Sequence, residues 1–397
     1  MYISDLALND YRSYKELVIS FTKGINILVG ENGQGKTNLV EAIGYLSTFT
    51  SHRVKNDNTL IRYILEEKHS APGAIIRARN INKNHNILIE LELIQGKPNR
   101  ARINKNNVKN KEILGHIKTV IFAPEDLQII RSEPNIRRNF LDELITQIYP
   151  TYMGIRNEIE KVLKQRAAVL KLMQINMKKG IKTDQTMVQI WDEKLAELCA
   201  KSLKERIKII NRLSEPLKKS YNKVTNENKT LTIAYKNCLE KYNIEIKDPE
   251  DISLTKKQYL QAFEENKQIE IERGINLIGV HRDDIEFFLN DIPVKGYASH
   301  GETWSVVLSL KVASYEIIKE IFEEDPILIL DDVFAELDTN RRNSLIKLIK
   351  NTEQVFITAA VNEDVPEELE AKKYYVKNID GITKIFDNPH IESEENE

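Results

Sequence analysis

The chain is poor in the features that would commit it to a membrane, to secretion or to a disulfide framework. Two cysteines, Cys199 and Cys238, occur in 397 residues. They have no metal-ligand spacing and form no disulfide pattern, so reduced thiols in the cytoplasm are the plain reading. No apolar run approaches the ~20 residues of a membrane-spanning helix. The start, Met1-Tyr2-Ile3-Ser4-Asp5, lacks the basic segment and apolar stretch of a secretory signal. An excess of one charge is missing too. The 58 Lys and Arg residues nearly balance 60 Asp and Glu, for a formal net charge of −2. That argues neither for nor against nucleic acid, because local patches matter more than the sum. What is present is ordinary for a globular protein: 41% hydrophobic and 30% charged residues. The length suits two or three domains.

The most informative stretch is Gly30-Glu31-Asn32-Gly33-Gln34-Gly35-Lys36-Thr37, which reads G-x-x-x-x-G-K-T. An apolar run, Ile25–Val29, precedes it, and a helix-compatible segment, Asn38–Ile43, follows. Strand, glycine loop and helix is the context a phosphate-binding loop needs. Glycine at 30, 33 and 35 permits torsions that side chains forbid, so the loop amides can turn inward on an anion. The helix starting near Lys36 adds its positive end, worth about 0.3–1 kcal/mol near a surface. That is too little to hold a triphosphate. Lys36 is therefore expected to reach the β- and γ-phosphates, and the Thr37 hydroxyl to bind magnesium.

Two further pieces fit this loop. Pro326–Leu330 is a fully apolar strand, as inside a parallel sheet, and it delivers Asp331 and Asp332. Asp331 is expected to hold magnesium, directly or through water. Asp332 projects differently and can polarise an attacking water, a role worth roughly 10²–10⁴ in rate. Ser299-His300-Gly301-Glu302 begins a helix and offers a hydroxyl and exposed amides to an anion. Taken alone it is an N-cap. Ala335–Asp338 follows the acidic strand, where a contact loop between two subunits would fall.

Elsewhere the pattern sets organisation. Strands are expected at Ile3–Leu8, Val18–Phe21, Gly73–Arg79 and Ile87–Leu93. Arg100, Arg102, Lys105, Lys109 and Lys111 make a basic hairpin, which either touches a phosphate backbone or guards a solvated sheet edge. Residues 150–225 are glycine-poor, with apolar residues three and four apart. They read as two long helices with a break near Lys178–Ile181. Basic residues outnumber acidic ones about two to one between 155 and 230, which suits a DNA-facing arm or a solvated helix pair equally. Sustained heptads are missing, so no long coiled coil is expected. Later come a strand at Leu231–Tyr235 and one at Asn276–Asp284 ending in charge. Ile285–Leu289 and Val294–Ala298 flank a turn. Helices are expected at Ser299–Lys319 and Asn340–Lys350, and a last strand at Gln354–Thr358.

The order of phosphate loop, long insertion, serine-glycine helix and acidic strand is similar to that of the ATP-binding-cassette (ABC) ATPases. Within them the chain resembles the RecF family of bacterial DNA replication and repair proteins. The matching stretches are Asn9–Tyr14, Gly30–Ile43, Ser51-His52-Arg53, Ala123–Leu127, Arg137–Asp142, His281–Asp284, Ser299–Glu302 and Leu330–Asp338. Residues 150–275 match in helical character only. The resemblance implies an α/β fold: an ABC-type P-loop ATPase head, a mixed sheet with helices, interrupted by a mainly helical lobe. The head would be split between 1–149 and 276–386, with the lobe at 150–275 and a disordered acidic tail at 387–397.

The resemblance also implies ATP and Mg2+ as cofactors, with Arg12 as a further nucleotide contact. It implies a weak, dimer-dependent ATPase in which Lys36 and Asp332 are catalytic. Two subunits would sandwich two ATP molecules. Ser299 and Gly301 of one would meet the γ-phosphate held by Lys36 and Thr37 of the other. Implied partners are single-stranded and gapped double-stranded DNA, RecO- and RecR-like mediators and the recombinase RecA, in the cytoplasm and at the nucleoid. Family signatures commonly read Ser-Gln-Gly with an arginine shortly after, whereas His300, Thr303 and Trp304 stand here. The histidine that follows the last strand in transporters is replaced by Thr358-Ala359-Ala360, which implies slow hydrolysis. The alternatives are a non-catalytic, ATP-gated DNA clamp and a cassette ATPase that does not act on DNA.

Overall fold

The computed structural model describes residues 1–388 apart from 52, 55, 65–66, 84, 182–185, 226–228 and 367. His52, and the acidic tail beyond Asn388, lie outside the described residues. The chain divides into two compact units. The first holds Met1–Leu127, Lys219–Asn228 and Trp304–Glu397. The second holds Gln128–Lys218 and Lys229–Thr303, a wider span than the helical lobe expected at 150–275.

The first unit is built on two six-stranded sheets. One is antiparallel, in the order Tyr14–Ser20, Tyr2–Tyr11, Gly73–Ile81, Asn86–Ile94, Arg100–Ile103, Asn106–Val108. Its strands alternate buried and partly exposed residues, as a sheet with one face on the core should. The other runs Thr119–Phe122, Ile327–Asp331, Gln354–Ala359, Gly24–Val29, Ala371–Ile379, Ile382–Phe386. It is parallel except for the antiparallel last pair. Ile327–Asp331 and Gln354–Ala359 are buried at every residue, which explains their unbroken apolar pattern. The helix Lys36–Thr48 shares one core with both sheets. It is buried almost all round, from Leu39 to Thr48, the signature of a core helix rather than a surface one.

Three readings of the sequence need correction. Gln354–Ala359 is not the last strand. Ala371–Ile379 and Ile382–Phe386 follow, and the former pairs with the phosphate-loop strand. Lys372, Lys373 and Lys377 in that strand hide its buried Tyr374 and Val376. Asn276–Gly279 is not a strand either. Its amides are taken by side chains: Leu277 N–H donates to Glu270 Oε1 at 2.7 Å and Gly279 N–H to Cys238 Sγ at 3.4 Å. Val294–Tyr297 is a short helical turn, kinked at Gly296 with φ 88°. On the basic hairpin, Arg102 pairs with Glu90, which also holds Arg77, and Arg100 lies 3.9 Å from Glu92. These arginines are already neutralised across the strands, which favours the solvated-edge reading.

The second unit is carried by the helices Pro134–Ile148, Tyr152–Lys178, Thr186–Thr225 (as far as Lys218) and Ile252–Arg273, with a small sheet of Leu231–Lys236, Asp284–Leu289 and Ile292–Pro293. Its core joins Ile159, Val162, Leu195, Leu203, Tyr259 and Phe263. Charged residues are buried in it as matched sets. Arg206 donates to both Asp142 oxygens at 2.9 Å, and Arg137 to Asp284 at 2.7 and 3.0 Å. Arg166 is 0% exposed. It donates to Asp192 at 2.6 Å, Glu270 at 2.5 Å and Asn276 at 2.9 Å. Removing one member of such a set strands the others without water. Arg166→Ala should therefore cost about 3–5 kcal/mol. Urea unfolding that places the variant within about 1 kcal/mol of the parent would contradict this.

Candidate functional site

The site starts from the register of the parallel sheet. Asp331 pairs with Thr358, Thr358 with Leu28, and Ala359 with Val29. Three neighbouring strands thus end at one edge, which is where open α/β sheets place ligands. The phosphate loop leaves this edge and enters the helix at Lys36 with Gly35 as N-cap. No side chain caps that helix, and no acidic residue sits in its first turn. Its first amides are thus left to an anion.

Glycine is required at two loop positions. A Cβ on Gly30 would strike the carbonyl oxygen of Val376, and one on Gly35, at φ 107°, would strike Thr383 and Ser13. The loop is clamped from the strands that the sequence reading missed. Thr383 donates from its hydroxyl to the Gln34 carbonyl at 2.9 Å, and Asn378 N–H donates to Gln34 Oε1 at 2.5 Å. Tyr14 donates to the Gly35 carbonyl at 3.1 Å. Glu31, Asn32 and Gly33 are left exposed.

Lys36 is 3% exposed. Its ammonium donates to the carbonyls of Gly30 at 2.6 Å and Glu31 at 3.1 Å, inside the curve of the loop. The Thr37 hydroxyl donates to Asp331 Oδ1 at 3.0 Å across 294 residues of sequence. The Thr358 hydroxyl reaches the same oxygen at 2.7 Å. Asp332 turns away in the left-handed region at φ 51°. Burial holds its carboxyl above the usual carboxylate range, opposed by Lys36 and reinforced by Asp331. A cleft of about 220 Å³ opens beside it, lined by Asn32, Pro124, Phe334, Glu336, Ala359 and Asp364 among others. The donors fit ATP with magnesium. A buried ammonium and free helix amides suit phosphates, and a hydroxyl with a carboxylate gives the hard oxygens that magnesium takes.

Arg12 is placed differently from the expectation. Its guanidinium makes a two-pronged pair with the buried Glu41, at 2.8 and 2.7 Å, and donates to the Thr59 carbonyl at 3.1 Å. Ser51 also donates to Glu41. Arg12 thus braces the turn next to the phosphate-loop helix, where Asn38 donates to Ser13 at 2.8 Å. Arg53, named in a matching stretch but given no role from sequence, donates to Asn38 Oδ1 at 3.1 Å and brings a cation to the first turn of that helix.

Ser299 and Gly301 belong to the second unit. Ser299 and His300 are exposed. Ser299 N–H donates to Glu302 Oε2 at 2.9 Å, and Glu302 N–H to Ser299 Oγ at 3.2 Å, a reciprocal cap. Lys229 and the Ser299 amide hold the Glu302 carboxyl down at about 2. Arg131 meets His300 Nδ1 at 2.6 Å. The start of this helix is therefore rigid and open to solvent.

Comparison with known proteins agrees with this architecture. The family described as RecF/RecN/SMC N terminal domain matches residues 2–383. Two relatives called DNA replication and repair protein RecF, from Renibacterium salmoninarum and Beutenbergia cavernae, are 41% and 42% identical, covering 96% and 94% of this chain and 99% and 97% of theirs. A solved structure of the recombination mediator protein RecF-ATPrS in the RecFOR pathway superposes with a TM-score of 0.84 at 28% identity, over 97% of this chain and 98% of that one. The Smc head domain from Pyrococcus furiosus, bound to the C-terminal domain of ScpA, shares the fold at a TM-score of 0.53 and 17% identity, over 97% of this chain and 96% of that one. Among the described residues no helix is long and apolar enough to cross a membrane. On these matches, running through nearly the whole length, the chain belongs to the RecF family of DNA replication and repair proteins, within the SMC/ABC-type ATPases.

Proposed function

We propose that the chain is an ATP-gated DNA-binding ATPase of recombinational repair and replication restart. The observation that carries this reading is the meeting of Thr37 and Asp331 at 3.0 Å beneath the phosphate loop. Lys36 exchanges its loop carbonyls for the β- and γ-phosphates of ATP. Thr37 and Asp331 hold Mg2+, which when bound neutralises charge on the phosphates. Asp332 faces the cleft and orients the attacking water. A raised proton affinity suits a base. Ala359 and Ala360, not a histidine, come directly after Thr358, so turnover is slow. Arg12 serves the nucleotide through the turn it braces; a direct contact would require it to leave Glu41.

Ser299 and Gly301 act in trans, on the γ-phosphate of a second copy. The exposure of Ser299 and its reciprocal cap with Glu302 support this. ATP then favours the closed dimer because it touches both subunits there and one in the open form. The closed dimer binds single-stranded and gapped duplex DNA and, with RecO- and RecR-like mediators, helps load RecA at gaps. The name of the solved relative, a mediator in the RecFOR pathway, supports this assignment of partners.

Three results are expected. In a filter-binding titration over a range of salt, ATP should tighten binding to gapped DNA. Lys36→Ala should weaken ATP binding roughly 10- to 100-fold, as loss of a charged hydrogen-bond donor does, and abolish that tightening. A parent protein whose DNA affinity ignores ATP at every salt concentration would overturn the reading. Ser299→Arg should leave ATP binding by the monomer intact and block dimerisation. Sedimentation showing an ordinary ATP-induced dimer would remove Ser299 from the interface.

A further inference from the structure

The Thr358 hydroxyl sits at a junction. Its oxygen accepts the Asp332 amide N–H at 2.9 Å. It lies 2.7 Å from Asp331 Oδ1 and 3.3 Å from Asp332 Oδ1. Thr358 is 2% exposed and lies one residue from the end of the strand beside the one that carries Asp331. Asp332 holds a left-handed backbone, φ 51°, a conformation that disfavours a residue with a side chain. The captured amide pins Asp332 in that conformation, and the conformation aims its carboxyl at the cleft.

We propose that Thr358 is a positioning residue for ATP hydrolysis: its hydroxyl sets the angle between the metal-binding and the water-orienting carboxylates. This rests on the nucleotide reading above. A hydroxyl has one hydrogen and two lone pairs. One lone pair is taken by the Asp332 amide. The single hydrogen can serve Asp331 or Asp332, but not both, and the shorter distance assigns it to Asp331. Thr37 donates to that same oxygen from the phosphate-loop helix. Asp331 Oδ1 is thus pinned from two sides, which leaves Oδ2 in a defined direction. Valine at 358 fills the same space without hydrogen-bonding atoms. It would strand the Asp332 amide, unpin the Asp332 carboxylate and leave Asp331 Oδ1 held by Thr37 alone, while the loop, Lys36 and Thr37 stay in place.

The experiment compares Thr358→Val and Thr358→Ser with the parent in three measurements: steady-state hydrolysis, affinity for a fluorescent ATP analogue with and without Mg2+, and thermal unfolding. A misplacement of about 1 Å at a reacting centre can cost on the order of 10²-fold in rate. Thr358→Val should lose kcat on that scale with KM nearly unchanged. It should bind the analogue as the parent does without Mg2+ and lose part of the gain that Mg2+ confers. Thr358→Ser, which restores the hydroxyl, should recover both. If valine does not fold, Thr358→Ala takes its place with the same expectations. Parent-like turnover and Mg2+ response in the valine or alanine variant would overturn the proposal. So would a serine variant as impaired as valine, since the methyl group would then be what matters. A parent protein that neither binds nor hydrolyses ATP would instead sink the nucleotide reading itself.

Discussion

The structure depends on one register. Because Gly24–Val29, Gln354–Ala359 and Ile327–Asp331 run parallel with Thr358 level with both Asp331 and Leu28, their ends converge. Residues more than three hundred positions apart become neighbours. A slip of one residue in any pair would turn its side chains to the other face. The Thr37–Asp331–Thr358 junction would then come apart. The register is held by burial, since Ile27, Leu28, Ile329, Leu330, Phe356 and Ile357 are at most 1% exposed. The chemistry of the edge is thus a by-product of how tightly the middle of the sheet is packed.

A second theme is where charge goes. The chain is almost neutral, and several of its cations are spent internally. Arg12 faces Glu41, Arg137 faces Asp284, Arg166 faces Asp192 and Glu270, and Arg206 faces Asp142. Each set is at least half-buried, so breaking one costs far more than forming it gains. Lys36 differs from them. Its partners are backbone carbonyls, which it can give up for a phosphate without leaving a charge behind.

Much of the site was legible because the loop motif packs its glycines, lysine and threonine into eight consecutive residues. The neighbours that forbid a side chain at Gly30 and Gly35, Val376 and Thr383 among them, come from the far side of the sequence and could not be read from it. The Ile327–Asp331 strand declares itself by an apolar run ending in acid. What escaped the sequence is non-local. Nothing near Arg12 announces Glu41, and nothing near Thr358 announces that two aspartates lie beside it. The apolar Asn276–Val280 stretch imitates a strand, and only the distant Glu270 and Cys238 explain why it is not one. The Ala371–Ile379 strand was missed for the opposite reason. Its exposed lysines, Lys372, Lys373 and Lys377, mask its buried residues, while its pairing with the phosphate-loop strand is set by the sheet as a whole.

That last pairing bears on how the molecule is made. Gly24–Val29 lies between Gln354–Ala359 and Ala371–Ile379, both from the far end of the chain. During synthesis the loop emerges well before either neighbour, and its strand stays unpaired on both sides until residues 354–379 have been made. Such long-range closure is slow to form and exposes sticky edges meanwhile. A nascent chain that stops short of residue 354 therefore carries the motif without either flanking strand, and nucleotide capture reports that this distant pairing has formed.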